Sequence, residues 1–233
     1  MAGEPGGGRA QVGGPMRERL RGLRGIPVFA GEIPAFDPDT APDDPVELFT
    51  RWLDHALGAG VPEPHVMNLA TADAANRVAS RFLILKDVGP NGWSFATGSA
   101  SPKGRDLDAN PHAALACYWP RVGRQIRIAG TVAPESPRTG AADFLARSPD
   151  ARAEALVGGQ SAPMASVGEH ERELAEARER VDADPSLVAP EWTLYTLRPD
   201  YVEFWQGSRD RNHVRLRYTA AGEGRWQRAL LRP

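Results

Sequence analysis

The sequence predicts a mainly β fold with flanking helices, of the α+β class, whose antiparallel strands close into a barrel. Three observations predict it. Short runs of strand length, apolar or alternating, recur through the middle and end of the chain. Turn-rich stretches such as "ADAAN" and "GPNG" separate them. Helical patterns sit at the margins and in one insertion, a spacing that suits an antiparallel barrel rather than βαβ units.

Residues 1–43 are expected to be a poorly ordered tail. "MAGEPGGGRAQVGGPM" is Gly-rich and "IPAFDPDTAPDD" is rich in Pro and Asp. Within it "MRERLRGLRG" reads as a short basic helix, and Met16 is a second possible start. From Asp44 to Pro233 the chain is expected to form one domain. "DDPVELFTRWLDHALGAG" opens it as a helix, with Asp44 as N-cap, Pro45 at the first helical position and Glu47 following. Leu48, Phe49, Trp52 and Ala56 form its apolar stripe, and Gly58 or Gly60 ends it. "HVMNLATAD", "VASRFLILKDV" and "GWSFATG" are strands. "SPKGRDLDAN" is a short helix capped by Ser101, with Pro102 at its first position and Asn110-Pro111 at its end. "AALACYW" and "RQIRIAGTVAPE" are strands. "PRTGAADFLARSPDARAEALVG" is helical with a break at Ser148-Pro149. "SVGEHERELAEARERVDAD" is a charged helix opened by the Ser166–Glu169 capping box. "EWTLYTLRPDYVEFWQG" and "HVRLRYT…GRWQRALL" complete the strands.

Composition narrows the function classes. The 233 residues carry a formal net charge of -2, so no global field favours nucleic acid or an anionic membrane. No apolar run approaches the ~20 residues of a membrane span, and no signal-peptide core is seen. Cys117 is the single cysteine, which excludes an intrachain disulfide. The five histidines are scattered without metal-ligand spacing, so no metal site is expected. These features fit a cytoplasmic protein.

Local charge is more informative. "EFWQGSRDRNHVRLRY" packs four arginines and a histidine beside a tryptophan, which suits an anion site with an aromatic wall. If the chain there is extended, Arg211, His213 and Arg215 share one face. In "SRFLILK", Arg81, Leu83 and Leu85 face one way and Phe82, Ile84 and Lys86 the other. Its basic residues fit either gatekeepers of an edge strand or an anion site. In "SASPKGRDL", Lys103 sits in the first turn of a helix, where a cation is disfavoured unless an anion binds. Gln125, mid-strand in "GRQIRI", faces water or a heterocycle with donors and acceptors. "GGQSAPM" is a loop of small residues.

The order and spacing of "DPVELFTRWL", "SRFLILK", "SPKGRDLDANP", "RQIRIAG", "GGQS", "VEFWQG", "RNH-R" and a closing "W…L…P" resemble the pyridoxamine 5′-phosphate oxidase family over Asp44 to Pro233. The resemblance implies an FMN-binding split β-barrel working as a homodimer, with FMN at the subunit interface. It implies FMN contacts from Arg81, Phe82, Leu83, Ile84, Leu85 and Lys86, with Arg81 and Lys103 near the phosphate. Thr97 would also contact FMN, and Gln125 would meet the isoalloxazine. Gln160, Ser161, Trp205 and Arg215 would complete that site, partly from the second subunit. Arg211 and His213 would act on the substrate, with Lys86 and Arg147 on its phosphate. The implied reaction oxidises pyridoxamine or pyridoxine 5′-phosphate to pyridoxal 5′-phosphate, with dioxygen as acceptor and hydrogen peroxide as product.

The chain departs from the family pattern where the substrate phosphate would sit. Counted back from Gln160-Ser161 without gaps, the segment "DFLARSPDA" keeps Arg147 but has Asp143 in place of a tyrosine and Ala151 in place of a serine; a one-residue shift would put Phe144 at the tyrosine position, still without a hydroxyl. Two lost hydroxyl donors weaken a phosphate site by roughly 1–3 kcal/mol each, and an aspartate adds like-charge repulsion. "SPKGR" and "CYWP" are similar to the phenazine-biosynthesis oxidase branch, which makes another aromatic metabolite the alternative substrate. A non-catalytic flavin- or pyridoxal-phosphate-binding protein is the remaining reading.

Overall fold

The computed structural model describes residues 22–29 and 31–233. In chain order these form α1 (Pro45–Gly58), β1 (Val66–Ala72), β2 (Val78–Gly89), β3 (Gly92–Gly98), α2 (Pro102–Ala109), β4 (His112–Trp119) and β5 (Arg124–Pro134). Then come α3 (Pro137–Leu145), α4 (Pro149–Val157), α5 (Val167–Ala183), β6 (Trp192–Gln206), β7 (Val214–Ala220) and β8 (Trp226–Leu230). The local signals act as anticipated. Asp44 accepts the Val46 N–H at 2.8 Å, Ser101 accepts that of Gly104 at 3.2 Å, and Ser166 that of Glu169 at 3.1 Å. Each satisfies an amide that the first helical turn leaves unpaired.

All eight strands join one antiparallel sheet in the order β3-β2-β1-β4-β5-β6-β7-β8, and β3 also pairs with β6. That extra pairing closes six strands into a split barrel, from which β7 and β8 extend. β6 makes the split. Its first half, Trp192 to Leu197, pairs with β3, and its second half, Tyr201 to Gln206, pairs with β7. Between the halves the β5–β6 register shifts at Ala129/Gly130. A Cβ at Gly130 would lie 2.0 Å from the Arg198 carbonyl oxygen, so only glycine lets the bent strands approach.

Strand alternation sends one set of side chains into the barrel. Met67, Leu69, Trp93, Phe95, Leu115, Ile126, Ile128, Leu197 and Phe204 are all buried. The apolar stripe of α1 joins them: Phe49 meets Trp93 edge-on at 5.7 Å, and Trp52 meets Phe204 at 5.2 Å. Such aromatic anchors cost about 3–5 kcal/mol when truncated to alanine. A second, smaller cluster of Ala153, Ala177 and Val181 joins α4 to α5.

The unordered tail expected for residues 1–43 needs correction over its last part. Phe36 packs edge-on against Trp52 at 5.1 Å, and Ala41 is buried. The Pro42 carbonyl accepts the Tyr218 hydroxyl at 2.6 Å. A few apolar side chains thus anchor a segment whose Pro and Asp content reads as loose. The basic helix expected over residues 16–25 lies mostly outside the described residues; Gly22–Gly25 form one 3-10 turn. Among the described residues no helix is long and apolar enough to cross a membrane.

Candidate active site

A groove of about 980 Å³ opens between β2, β3, the start of α2 and the α4–α5 insertion. Of the residues the sequence singled out, it gathers Arg81, Phe82, Leu83, Thr97, Lys103, Arg147, Gln160 and Ser161. Its size and mixed polar and apolar lining suit a cofactor-sized ligand.

One end is cationic. Ser101 caps α2, and Gly104 brings its first turn against the preceding chain: a Cβ there would lie 2.2 Å from the Ser99 carbonyl oxygen. Lys103 is therefore held in the first turn with only 9% exposure. Its ammonium donates to Gln160 Oε1 at 2.7 Å, and the Thr97 hydroxyl donates to the same oxygen at 3.2 Å. No carboxylate pairs with Lys103 among the described residues. Burial, with Arg81 nearby, pushes its pKa down to about 8. Arg81 donates to Thr71 Oγ1 at 2.7 Å and lies 3.8 Å from Asp106. Burial lowers its pKa, and Asp106 partly opposes this. A buried lysine at a helix N-terminus with no ion-paired carboxylate among the described residues, and only Glu154 acting on it from farther off, has the electrostatics of an anion receptor. These residues therefore fit a phosphate-bearing cofactor such as FMN. The loop that carries Gln160 turns through Gly158, Gly159 and Ser161, which all have positive φ. The small residues of "GGQS" answer to that backbone.

The other end is built on Trp192, the first residue of β6. The Arg147 guanidinium carbon lies over its ring, 4.0 Å from the centroid. The indole N–H donates to Asp143 at 2.9 Å, and the other Asp143 oxygen stands 3.2 Å from the Lys86 ammonium. Lys86 reaches it because the β2–β3 register shifts between Leu85 and Asp87, a bulge that re-aims the side chain. Burial lowers the Arg147 pKa, and Glu154 and Asp143 oppose it. Glu154 and Trp192 were not anticipated from the sequence; only the folded β6 reveals the tryptophan as a platform.

The other singled-out residues lie outside the groove lining, and Phe82 is both a lining residue and exposed. Leu85 points into the barrel core at 8% exposure and does not line the groove. Phe82 and Ile84 stand exposed on β2. Gln125, Trp205 and Arg215 form one cross-strand row on β5, β6 and β7, outside the groove lining. Arg215 and Arg217 each donate to Glu203 at 2.9 Å, and Arg127 approaches it to 3.6 Å. Burial would raise the Glu203 pKa, but the hydrogen bonds from Arg217 and Arg215 outweigh it and hold the carboxyl below its ordinary value.

The extended row of Arg211, His213 and Arg215 is not what forms. Arg211 takes φ +69° in an exposed turn, and β7 begins only at Val214. The Ser208 N–H and the His213 ring satisfy each other instead, Nδ1 accepting at 2.9 Å. His213 packs on Trp205, ring centroids 4.9 Å apart, and Phe29 covers both.

Comparison with known proteins is consistent across the chain. Residues 53–182 match the family model described as pyridoxamine 5′-phosphate oxidase, and residues 192–233 match the pyridoxine 5′-phosphate oxidase C-terminal dimerisation region. A pyridoxine/pyridoxamine 5′-phosphate oxidase of Herminiimonas arsenicoxydans is 40% identical over 197 residues, covering 84% of this chain and 92% of its own. One of Rubrobacter xylanophilus is 39% identical, covering 93% of this chain and 98% of its own. Among solved structures, PhzG of Burkholderia lata in complex with tetrahydrophenazine-1-carboxylic acid superimposes with a TM-score of 0.82. It is 33% identical and covers 87% of this chain and 100% of its own. An FMN-binding protein of Nostoc punctiforme, at TM-score 0.65 and 21% identity over 79% of this chain and 97% of its own, shares the fold.

Proposed function

The chain belongs to the pyridoxine/pyridoxamine 5′-phosphate oxidase family, and from that premise we propose that it is an FMN-dependent oxidase acting as a homodimer. The observation that supports the cofactor assignment is Lys103, a buried cation at a capped helix N-terminus that lines the groove and has no carboxylate partner among the described residues. In this reading Lys103, Arg81 and the first amides of α2 take the FMN phosphate. Thr97 and the Gln160–Ser161 loop close over it, and the backbone of β2 from Arg81 to Lys86 runs along the flavin. The outward row of Gln125, Trp205 and Arg215 completes the site of the partner protomer, together with Arg211 and His213 at its substrate side. The exposed Phe82 and Ile84 lie in the interface. When bound, FMN supplies the hydride acceptor and the reaction with dioxygen, with hydrogen peroxide as product. The protein orients the donor carbon, excludes water and places charge.

Two substrate classes fit. Pyridoxamine or pyridoxine 5′-phosphate is supported by the names of the relatives and by the presence of Lys86, Arg147, Arg211 and His213. A partly reduced aromatic carboxylic acid, of the kind named for the Burkholderia structure, is favoured by one specific observation: Asp143 sits on Lys86. The test is to reconstitute the protein with FMN and follow oxygen uptake and peroxide release with both classes. FMN retained through gel filtration and peroxide formed with one class are expected. A protein that takes up no flavin would overturn the proposal.

A further inference from the structure

We propose that the hollow between α1, the segment 35–42 and the start of β5 is a second anion site, which takes a phosphate group against the buried guanidinium of Arg124. The hollow shares no lining residue with the groove, and the proposal stands whether or not the chain binds flavin.

Arg124 opens β5 and stands across the sheet from Gln206 of β6. Only 5% of it is exposed. Its Nε donates to Gln206 Oε1 at 2.9 Å, and Gln206 is itself fixed by donating to the Val122 and Gly123 carbonyls at 3.1 and 3.2 Å. This clamp holds the guanidinium over α1, its carbon 4.2 Å from the centroid of the Trp52 ring. The ring attracts the cation but does not neutralise it. Nη1 is buried without a hydrogen-bond partner among the described residues. Nη2, also without a described partner, is not sealed off, and the hollow is the cavity that Arg124 lines. No described carboxylate comes within ion-pair distance. Burial alone pushes the Arg124 pKa down to about 10, with no acid opposing it. A buried charge is ordinarily paired, because desolvation without a counter-charge is costly.

The rest of the lining suits an anion. Arg51 and His55 reach the hollow from successive turns of α1, and Arg51 also pairs with Glu47. Burial lowers the His55 pKa and the charge of Arg124 adds to it, so the two face each other without an acid between them. Asp37 is the one carboxylate among the lining residues. It is engaged as a cap, accepting the Asp39 N–H at 3.0 Å. The hollow measures about 240 Å³, below the roughly 300–1,000 Å³ of pockets for drug-sized ligands. It therefore suits a small oxyanion or the phosphate end of a larger molecule. Such a group accepts from Nη2 of Arg124 and supplies the missing negative charge, with Arg51 beside it.

The test is an NMR titration of the FMN-treated protein with inorganic phosphate and with phenyl phosphate, at constant pH and ionic strength. It follows the His55 ring signals, assigned by their loss in His55→Gln. These signals report on the hollow, so anions bound in the groove do not enter the reading. Saturable movement of the signals is expected. Tighter binding of phenyl phosphate identifies an ester end as the ligand, and equal or tighter binding of inorganic phosphate identifies the free ion. Arg124→Met should weaken binding by about tenfold or more, and Arg51→Gln by about threefold. Signals that drift without saturating overturn the proposal. So does saturation that survives Arg124→Met; Arg124 is then a structural cation on Trp52. If Arg124→Met does not fold, an unchanged affinity in Arg51→Gln, whose side chain is 59% exposed, overturns it equally. Flavin is read separately from the visible spectrum, and its absence overturns the functional reading without touching this proposal.

Discussion

Replacing Lys103 by methionine should move cofactor affinity and protein stability in opposite directions. The lysine pKa falls from its ordinary 10.5 to about 8 in the fold, chiefly through burial. At about 1.4 kcal/mol per unit the charged form costs roughly 3 kcal/mol, and solvent reaching the open groove screens this to ~1.5 kcal/mol. That penalty is complete below about pH 8, where both folded and unfolded lysines are charged, and it fades as pH rises toward 10.5. Methionine fills similar space without the charge. The flavin-free variant should therefore be more stable than wild type at neutral pH by ~1 kcal/mol, after the lost bond to Gln160 is allowed for. The FMN phosphate, in contrast, loses a charge-assisted contact of ~1.5–3 kcal/mol, which weakens binding about 10- to 100-fold. Flavin fluorescence titration of the apoprotein reads the first quantity and urea unfolding reads the second. An unchanged FMN affinity would refute the placement of the phosphate at Lys103. A less stable apoprotein would show that the lysine serves to tether the Gln160 loop.

Other outcomes follow from the same contacts. FMN affinity of the wild type should weaken as pH rises through about 8, because neutral Lys103 no longer pairs with phosphate, and the methionine variant should lack this step. Glu203 is 2% exposed beneath three arginines, so Glu203→Gln should cost about 3–5 kcal/mol in urea unfolding near neutral pH. Its folded pKa lies below the ordinary 4.5, so its stabilising charge is present above that value and lost as pH falls through the folded one. The gap between wild type and variant should therefore close in acid. In the proposed homodimer Ile84, 53% exposed on β2 and outside the groove lining, lies in the subunit interface; Ile84→Glu should then give a monomer by light scattering where wild type gives a dimer.

What the sequence made legible was local or periodic. Asp44-Pro45 and Ser101-Pro102 start helices through bonds within three residues, so their signals need no tertiary knowledge. The alternation in "SRFLILK" survives because the barrel buries one face of β2. Lys103 stood out because its charge has the wrong sign for its position in a helix. Long-range facts were hidden. Nothing local in "EWTLYTLRPDYVEFWQG" says that one strand divides its partners between β3 and β7. Asp143 was recognisable as out of place, but its bonds to Trp192 and Lys86 span 49 and 57 residues of chain. Arg211 was misread because an extended path was assumed, whereas the Ser208–His213 bond closes a turn there. The segment after residue 30 was read by composition, which is blind to the one aromatic, Phe36, that anchors it.

The most direct measurement is an anaerobic visible spectrum of the purified, FMN-reconstituted protein before and after substrate is added. Bound-flavin bands that bleach with one of the two proposed substrate classes, and return when air is admitted, are the predicted result. A protein that stays colourless after exposure to FMN, with apoprotein folded and dimeric, would contradict the account at its centre.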